Sequence, residues 1–169
     1  MTPQQRNLQL RLDGLAQTMQ ETLMRTSVSP VVREGADCAS ALFTRDGELL
    51  AMSNAIPLLL GALPGIVTAV TAAFPVDTMA KGDLFLTNDP FGGGTHLPDI
   101  ALLMPVFDGD RVIALATSLL HHQDIGGMRA GSVPPDATEI YQEGLRLPPI
   151  HAGTGGRLTA ATTALIRAA

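Results

Sequence analysis

Leu8, Leu12, Leu15, Met19 and Leu23 recur at spacings of three and four, a period that lays one apolar stripe along a helix. Thr2-Pro3-Gln4-Gln5 supplies the start signal: Thr2 as N-cap, Pro3 in the first helical position, Gln5 three residues after the cap. The helix runs to about Thr26 and ends in Ser27-Val28-Ser29-Pro30, because the residue before a proline is driven out of the helical region. Asp37 to Thr44 and Glu48 to Ser53 then read as short strands around Arg45-Asp46-Gly47, where Asp-Gly is a strong hairpin signal. The uncharged run Ala55 to Phe74 approaches membrane-spanning length, yet Pro57, Gly61, Pro64 and Gly65 interrupt its first half. It predicts a buried loop leading into a core helix over Gly65 to Phe74, with Ile66, Val67, Val70 and Phe74 on one side.

Asp83 to Thr87 reads as a short strand entering a glycine-rich segment. The clearest hairpin joins Ile100–Phe107 to Arg111–Leu120 through Asp108-Gly109-Asp110. Past Gly131-Ser132-Val133-Pro134-Pro135, a short helix is predicted within Asp136 to Leu145, and a last helix over Leu158 to Ala169. No repeat, linker or low-complexity tract divides the chain. The pattern is that of one α+β unit spanning residues 1–169: an N-terminal helix followed by antiparallel hairpins packed with helices.

Composition narrows the function. A net charge of −5 and the absence of a basic run argue against nucleic acid as a partner. Charged residues make up 16% of the chain, against about 25% in an ordinary soluble domain. So apolar a chain is expected to bury surface against a partner or to be part of something larger. The start, Met1-Thr2-Pro3-Gln4-Gln5-Arg6, lacks an apolar core behind a basic head and does not resemble a signal peptide. The single Cys38 excludes an internal disulfide and suits a small buried strand residue in a reducing compartment. A cytoplasmic protein is expected.

Three of the four histidines fall in two polar clusters, Asn88 to Asp99 and His121-His122-Gln123-Asp124-Ile125-Gly126-Gly127. Paired residues of an antiparallel hairpin keep a constant register. Depending on where the 108–110 turn is centred, Asp99 lies opposite Ser118 or Leu120, and either choice brings His96 and Asp99 beside His121–Asp124. Imidazole plus carboxylate suits Zn²⁺, Mn²⁺ or Fe²⁺. His96 and Asp99, three apart, point to opposite faces of a regular strand, so sharing an ion requires a bend, which Pro98 and the preceding glycines allow. Adjacent His121 and His122 also face opposite ways, so only one is expected to be a ligand. Gly92-Gly93-Gly94 lacks the Gly-Lys-Ser/Thr of a phosphate cradle and more simply frees the backbone to wrap the site. Asp89 either caps a turn or belongs to the site.

Asn88-Asp89-Pro90-Phe91-Gly92-Gly93-Gly94-Thr95-His96-Leu97-Pro98-Asp99 resembles the hydantoinase B/oxoprolinase family. The likeness continues through His121–Gly127, through Pro134-Pro135-Asp136-Ala137-Thr138-Glu139-Ile140-Tyr141-Gln142-Glu143-Gly144-Leu145, and in Asp37-Cys38-Ala39-Ser40-Ala41-Leu42-Phe43. It implies one divalent metal, Zn²⁺ or Mn²⁺, held by Asp37, His96, Asp99 and His121, with His122 at a position that also accepts an aromatic residue. Leu59 stands where the family carries a His. The resemblance further implies a hetero-oligomer with a hydantoinase A-type subunit that uses ATP, no nucleotide being bound by this chain. Family members are several hundred residues longer, so the chain is expected to correspond to their N-terminal portion. The leading expectation is the metal-bearing part of an ATP-dependent cyclic-amide hydrolase, in which the metal polarises an oxygen or activates water and Asp124 or Asp89 moves protons. The competing expectations are a non-catalytic partner-binding piece and a subunit of an acetone- or acetophenone-type carboxylase.

Overall fold

The computed structural model describes residues 1–169. Helix α1 (Pro3–Thr26) begins in the expected capping box, Thr2 and Gln5 each satisfying the other's backbone N–H. A one-turn helix α2 (Pro30–Arg33) follows. Strands β1 (Cys38–Thr44) and β2 (Leu49–Met52) form the first hairpin. Helix α3 (Pro57–Ala73) precedes β3 (Leu84–Thr87), and β4 (Asp99–Asp108) and β5 (Arg111–His121) make the long hairpin. Strands β6 (Ile150–Thr154) and β7 (Arg157–Leu158) and helix α4 (Ala160–Arg167) complete the chain. All seven strands form one antiparallel sheet in the order β2-β1-β5-β4-β3-β6-β7.

The main core lies between one sheet face and α3. Ala39, Ala41, Phe43, Phe85, Ala101, Leu103, Leu115 and Leu119 pack there against Leu59, Leu63, Ile66, Val67 and Val70. The strand residues among these are odd-numbered positions of β1, β3, β4 and β5, as strand alternation requires. Asp99 and His121 belong to the same alternating set, at the open end of the hairpin.

Helix α3 corrects the expectation of a loop before Gly65. The segment is helical from Pro57, which occupies the first turn where its missing N–H costs nothing, and the helix continues through Pro64. Burial of Leu59, Ala62 and Leu63 outweighs the weak propensity of Gly61 and Pro64. Seventeen residues long, it is short of a bilayer span, and no helix here is long and apolar enough to cross a membrane.

Helix α1 also corrects its predicted face. Leu8 and Leu15 are exposed, while Ala16 and Gln20 are buried against the sheet. Leu12, Met19 and Leu23 of the expected stripe are only half-buried; small Ala16 permits close approach, and hydrogen bonds add to the docking. Gln20 Nε2 donates to the Cys38 carbonyl (3.0 Å) and Gln9 Nε2 to that of Leu50 (2.8 Å). Between Asp136 and Leu145 only a 3₁₀ turn, Ile140–Gln142, forms. The β6–β7 hairpin escaped the pattern reading because Ile150-His151-Ala152-Gly153-Thr154 does not alternate. Its turn signal is Gly155-Gly156, both at positive φ as a tight two-residue hairpin turn requires.

Candidate metal centre

The register of the long hairpin sets the site. Asp108 pairs with Arg111, so the turn is centred on Gly109-Asp110, one of the two expected choices. A β-bulge between Val106 and Phe107 then lets Val112 pair with Phe107 and Ala114 with Val106, leaving Ile113 extra. That one residue moves Asp99 opposite His121, not opposite Leu120 or Ser118. Directly opposed residues share a face, so the Asp99 carboxylate and the His121 ring meet.

His96 reaches them through the expected bend. The Asp99 N–H donates to the His96 carbonyl (3.1 Å), closing a turn over Leu97-Pro98, and the His122 N–H donates to the Pro98 carbonyl (2.8 Å). Asn88, fully buried, locks the same loop: its Nδ2 donates to the carbonyls of Leu97 (2.6 Å) and Leu145 (2.8 Å), and its Oδ1 accepts from the Leu147 N–H (2.6 Å).

The result is three donor atoms at one point. His96 Nε2 and His121 Nδ1 are 3.2 Å apart, and Asp99 Oδ1 lies 2.9 Å from His121 Nδ1 and 3.1 Å from His96 Nε2. Metal–ligand bonds of about 2.0–2.2 Å put neighbouring ligand atoms roughly 3 Å apart, so these edges fit a shared first-row ion. Thr95 Oγ1 donates to the other oxygen of Asp99 and fixes the carboxylate. Asp37 Oδ2 stands 3.7 Å from His121 Nδ1, at the fringe of the three, and its carbonyl accepts the His121 N–H. Burial raises the Asp99 carboxyl, but hydrogen bonds from His96 and Thr95 more than offset this and hold it below the ordinary carboxylate range. The hydrogen bond to Asp99 raises the proton affinity of His96 against the effect of burial, and Asp99, Asp37 and Glu143 add to the rise through space.

The structure separates the two adjacent histidines. His122 turns to the other sheet face, where its Nδ1 meets the Leu120 carbonyl and its ring borders an apolar trough with Leu23, Leu102 and Ile166. Neither Asp89 nor Asp124 joins the donor cluster. Asp89 forms a two-pronged pair with Arg146 (3.0 and 2.8 Å) and accepts from the Phe91 N–H, so it caps a turn and ties it to the 146 segment. That pair holds its carboxyl below the ordinary range. Asp124 accepts from Gly126 N–H, Gly131 N–H and Ser132 Oγ, which closes its own loop. The glycine run packs on a helix: Gly93, at φ 99°, lies backbone to backbone against Gly65 of α3.

Beside His96 opens a cleft of about 390 Å³, walled by Phe91, Thr95, Ile140, Glu139 and Glu143. Arg146 stands over the Phe91 ring at 5.2 Å. Asn88, Glu143 and Arg146 were not singled out from the sequence; the only signal for Asn88 and Glu143 was their place in the long motifs, and Arg146 lies just past the last of these.

Comparison with known proteins identifies the family and the fold. 5-Oxoprolinase 1 of Arabidopsis thaliana is 39% identical over 134 residues, 79% of this chain and 10% of that protein. The crystal structure of the ATP-dependent caprolactamase from Pseudomonas jessenii superposes with a TM-score of 0.83 at 29% identity, over 98% of this chain and 29% of that one. A nucleotide-free acetone carboxylase shares the fold at a TM-score of 0.81 and 22% identity, over 93% of this chain and 21% of that one. The chain thus spans between a tenth and a third of the length of these relatives. The sequence pattern of the hydantoinase B/oxoprolinase family matches residues 7–169, and the chain belongs to that family.

Proposed function

We propose that the chain is the metal-bearing N-terminal part of an ATP-dependent cyclic-amide hydrolase, acting with an ATP-using partner subunit of the hydantoinase A type. The observation that carries this is the meeting of His96 Nε2, His121 Nδ1 and Asp99 Oδ1 within 3.2 Å of one another beside an open cleft. One divalent ion, Zn²⁺ or Mn²⁺, would be held by these three, with Asp37, whose carboxylate stands 3.7 Å from His121 Nδ1, as the fourth ligand. Bound there, the ion supplies Lewis acidity to a carbonyl oxygen or an attacking water.

The chain's own residues prepare that chemistry. Thr95 orients Asp99, and the turn over Leu97-Pro98 presents His96 to the cleft. Phe91 and Ile140 provide apolar walls of the size a small ring needs. Asp89, held ionised first by Arg146, and Asp124, held by donors in its own loop, order their segments, and any proton they accept must first displace those donors. Nucleotide is assigned to the partner, since the glycine run is packed on α3 and no Gly-Lys-Ser/Thr is present.

Elemental analysis of the purified chain tests the reading. About one equivalent of Zn²⁺ or Mn²⁺ per chain is expected, lost in His96→Ala and His121→Ala and retained in His122→Ala. Full metal occupancy in a folded His121→Ala protein would refute it.

A further inference from the structure

The cleft beside His96 holds more polar side chains than the metal uses, and all but one are already engaged. Thr95 donates to Asp99, and the Thr138 hydroxyl donates to Gln142 Oε1. The Glu139 carboxylate caps the 3₁₀ turn by accepting the Gln142 N–H. Glu143 remains. It is half-buried, lines the same cleft as His96, and makes no side-chain hydrogen bond or ion pair within the protein. Its charge is felt at His96. Its backbone is nonetheless firmly placed: the Glu143 N–H donates to the Ile140 carbonyl (3.0 Å), and the flanking Gln142 carbonyl and Leu145 N–H bond to Met128 and Ile125. A carboxylate on so fixed a backbone, lining the cleft without a protein donor, is free to accept from a ligand. The nearby cation cannot neutralise it, because Arg146 is committed to Asp89 through two hydrogen bonds.

We propose that Glu143 accepts the N–H of a secondary cyclic amide whose carbonyl oxygen lies toward the His96–Asp99–His121 cluster. This rests on the metal-site reading above and specifies the substrate edge that the site recognises. A small ring forces its amide to be cis, so C=O and N–H lie on one edge. An ordinary trans amide puts them on opposite edges. Lewis acid and carboxylate in one cleft therefore read a lactam or hydantoin edge and reject both open-chain amides and N-alkylated rings. Rejection is sharp because an N-alkyl group leaves Glu143 desolvated and without a donor. Glu143 is thus a positioning and specificity residue for the ring nitrogen.

The test uses the whole chain loaded with Mn²⁺, with 2-pyrrolidinone and N-methyl-2-pyrrolidinone as probes and ligand-proton relaxation by the ion as the readout. The wild-type chain should bind the N–H ring about tenfold more tightly, the scale of one hydrogen bond to a charged acceptor. Glu143→Ala should abolish that preference while leaving Mn²⁺ affinity unchanged. Glu143→Gln should keep part of it, because the amide oxygen still accepts. Equal binding of the two probes to the wild type, or a preference that survives in Glu143→Ala, would overturn the proposal. Failure to bind Mn²⁺ would count against the metal reading alone. In that case the side-chain carbon shifts of Glu143 during titration decide between the probes, and an identical response to both would overturn the Glu143 assignment.

Discussion

Gly93 is a position where one added carbon has two costs, backbone strain and a backbone clash. Its φ of 99° is unfavourable for any side chain, and a Cβ there would sit 2.6 Å from the Gly65 carbonyl carbon. Gly93→Ala is expected to destabilise the fold by about 2–4 kcal/mol, from left-handed strain plus a forced shift of α3, as chemical denaturation would measure. Asp89 makes a different kind of prediction. Its folded-state pKa is depressed, first by the hydrogen bond from Arg146, so its contribution is present above the unfolded carboxyl pKa of about 3.9. It is lost as the pH falls through the folded value. Asp89→Asn should therefore be less stable than the wild type at pH 7 and converge with it under strongly acidic conditions; equal stability at neutral pH would show that the pair contributes nothing. His96, Asp99 and His121 were legible because each sits in a dense local pattern. Asn88 and Arg146 were not, because Arg146 and two of the three Asn88 contacts reach partners 57 to 59 residues away, and no local pattern records such a contact.

Turn chemistry made the hairpins readable, while the extra residue of the β4–β5 ladder was hidden. Asp46-Gly47 and Asp108-Gly109 announced their turns, yet nothing in Val112-Ile113-Ala114 marks a bulge, since alternation merely looks continuous through three apolar residues. The bulge nonetheless decides which residue faces Asp99. Deleting Ile113, which is exposed, should restore a regular ladder with Ala114 still opposite Val106 and His121 still opposite Asp99. Metal uptake should survive that deletion. A folded deletion protein without metal would show that the bulge itself shapes the site. Helix α3 was misread for the opposite reason: proline and glycine argued against a helix from Pro57, and only tertiary burial reverses that preference.

Taken whole, the molecule carries more apolar surface than one sheet and four helices can cover. Leu8, Leu10 and Leu15 are more than half exposed along α1, and an apolar trough of about 290 Å³ remains open between α1 and α4. Such surface associates. Light scattering of the isolated chain should show self-association at working concentration, reduced when Leu8 and Leu15 are both replaced by Glu. A sharp monomer peak would show that the leucines are inert. The isolated chain should also show no ATP hydrolysis once contaminants are excluded, and robust turnover would overturn the assignment of nucleotide to the partner.

Cys38 turns the docking of α1 into something that can be timed. The only thiol of the chain is fully buried in β1, burial raises its pKa, and its carbonyl receives the side chain of Gln20. A thiol reagent can reach it only while that edge of the protein is open, so the modification rate reports the opening equilibrium. An opening free energy of about 4 kcal/mol slows labelling roughly a thousandfold relative to the unfolded chain. Gln20→Ala should quicken labelling without changing the global unfolding midpoint in proportion, if α1 lifts as a unit of its own. Should labelling instead track global unfolding at every denaturant concentration, helix and sheet open together and the long N-terminal helix is an inseparable part of the cooperative core.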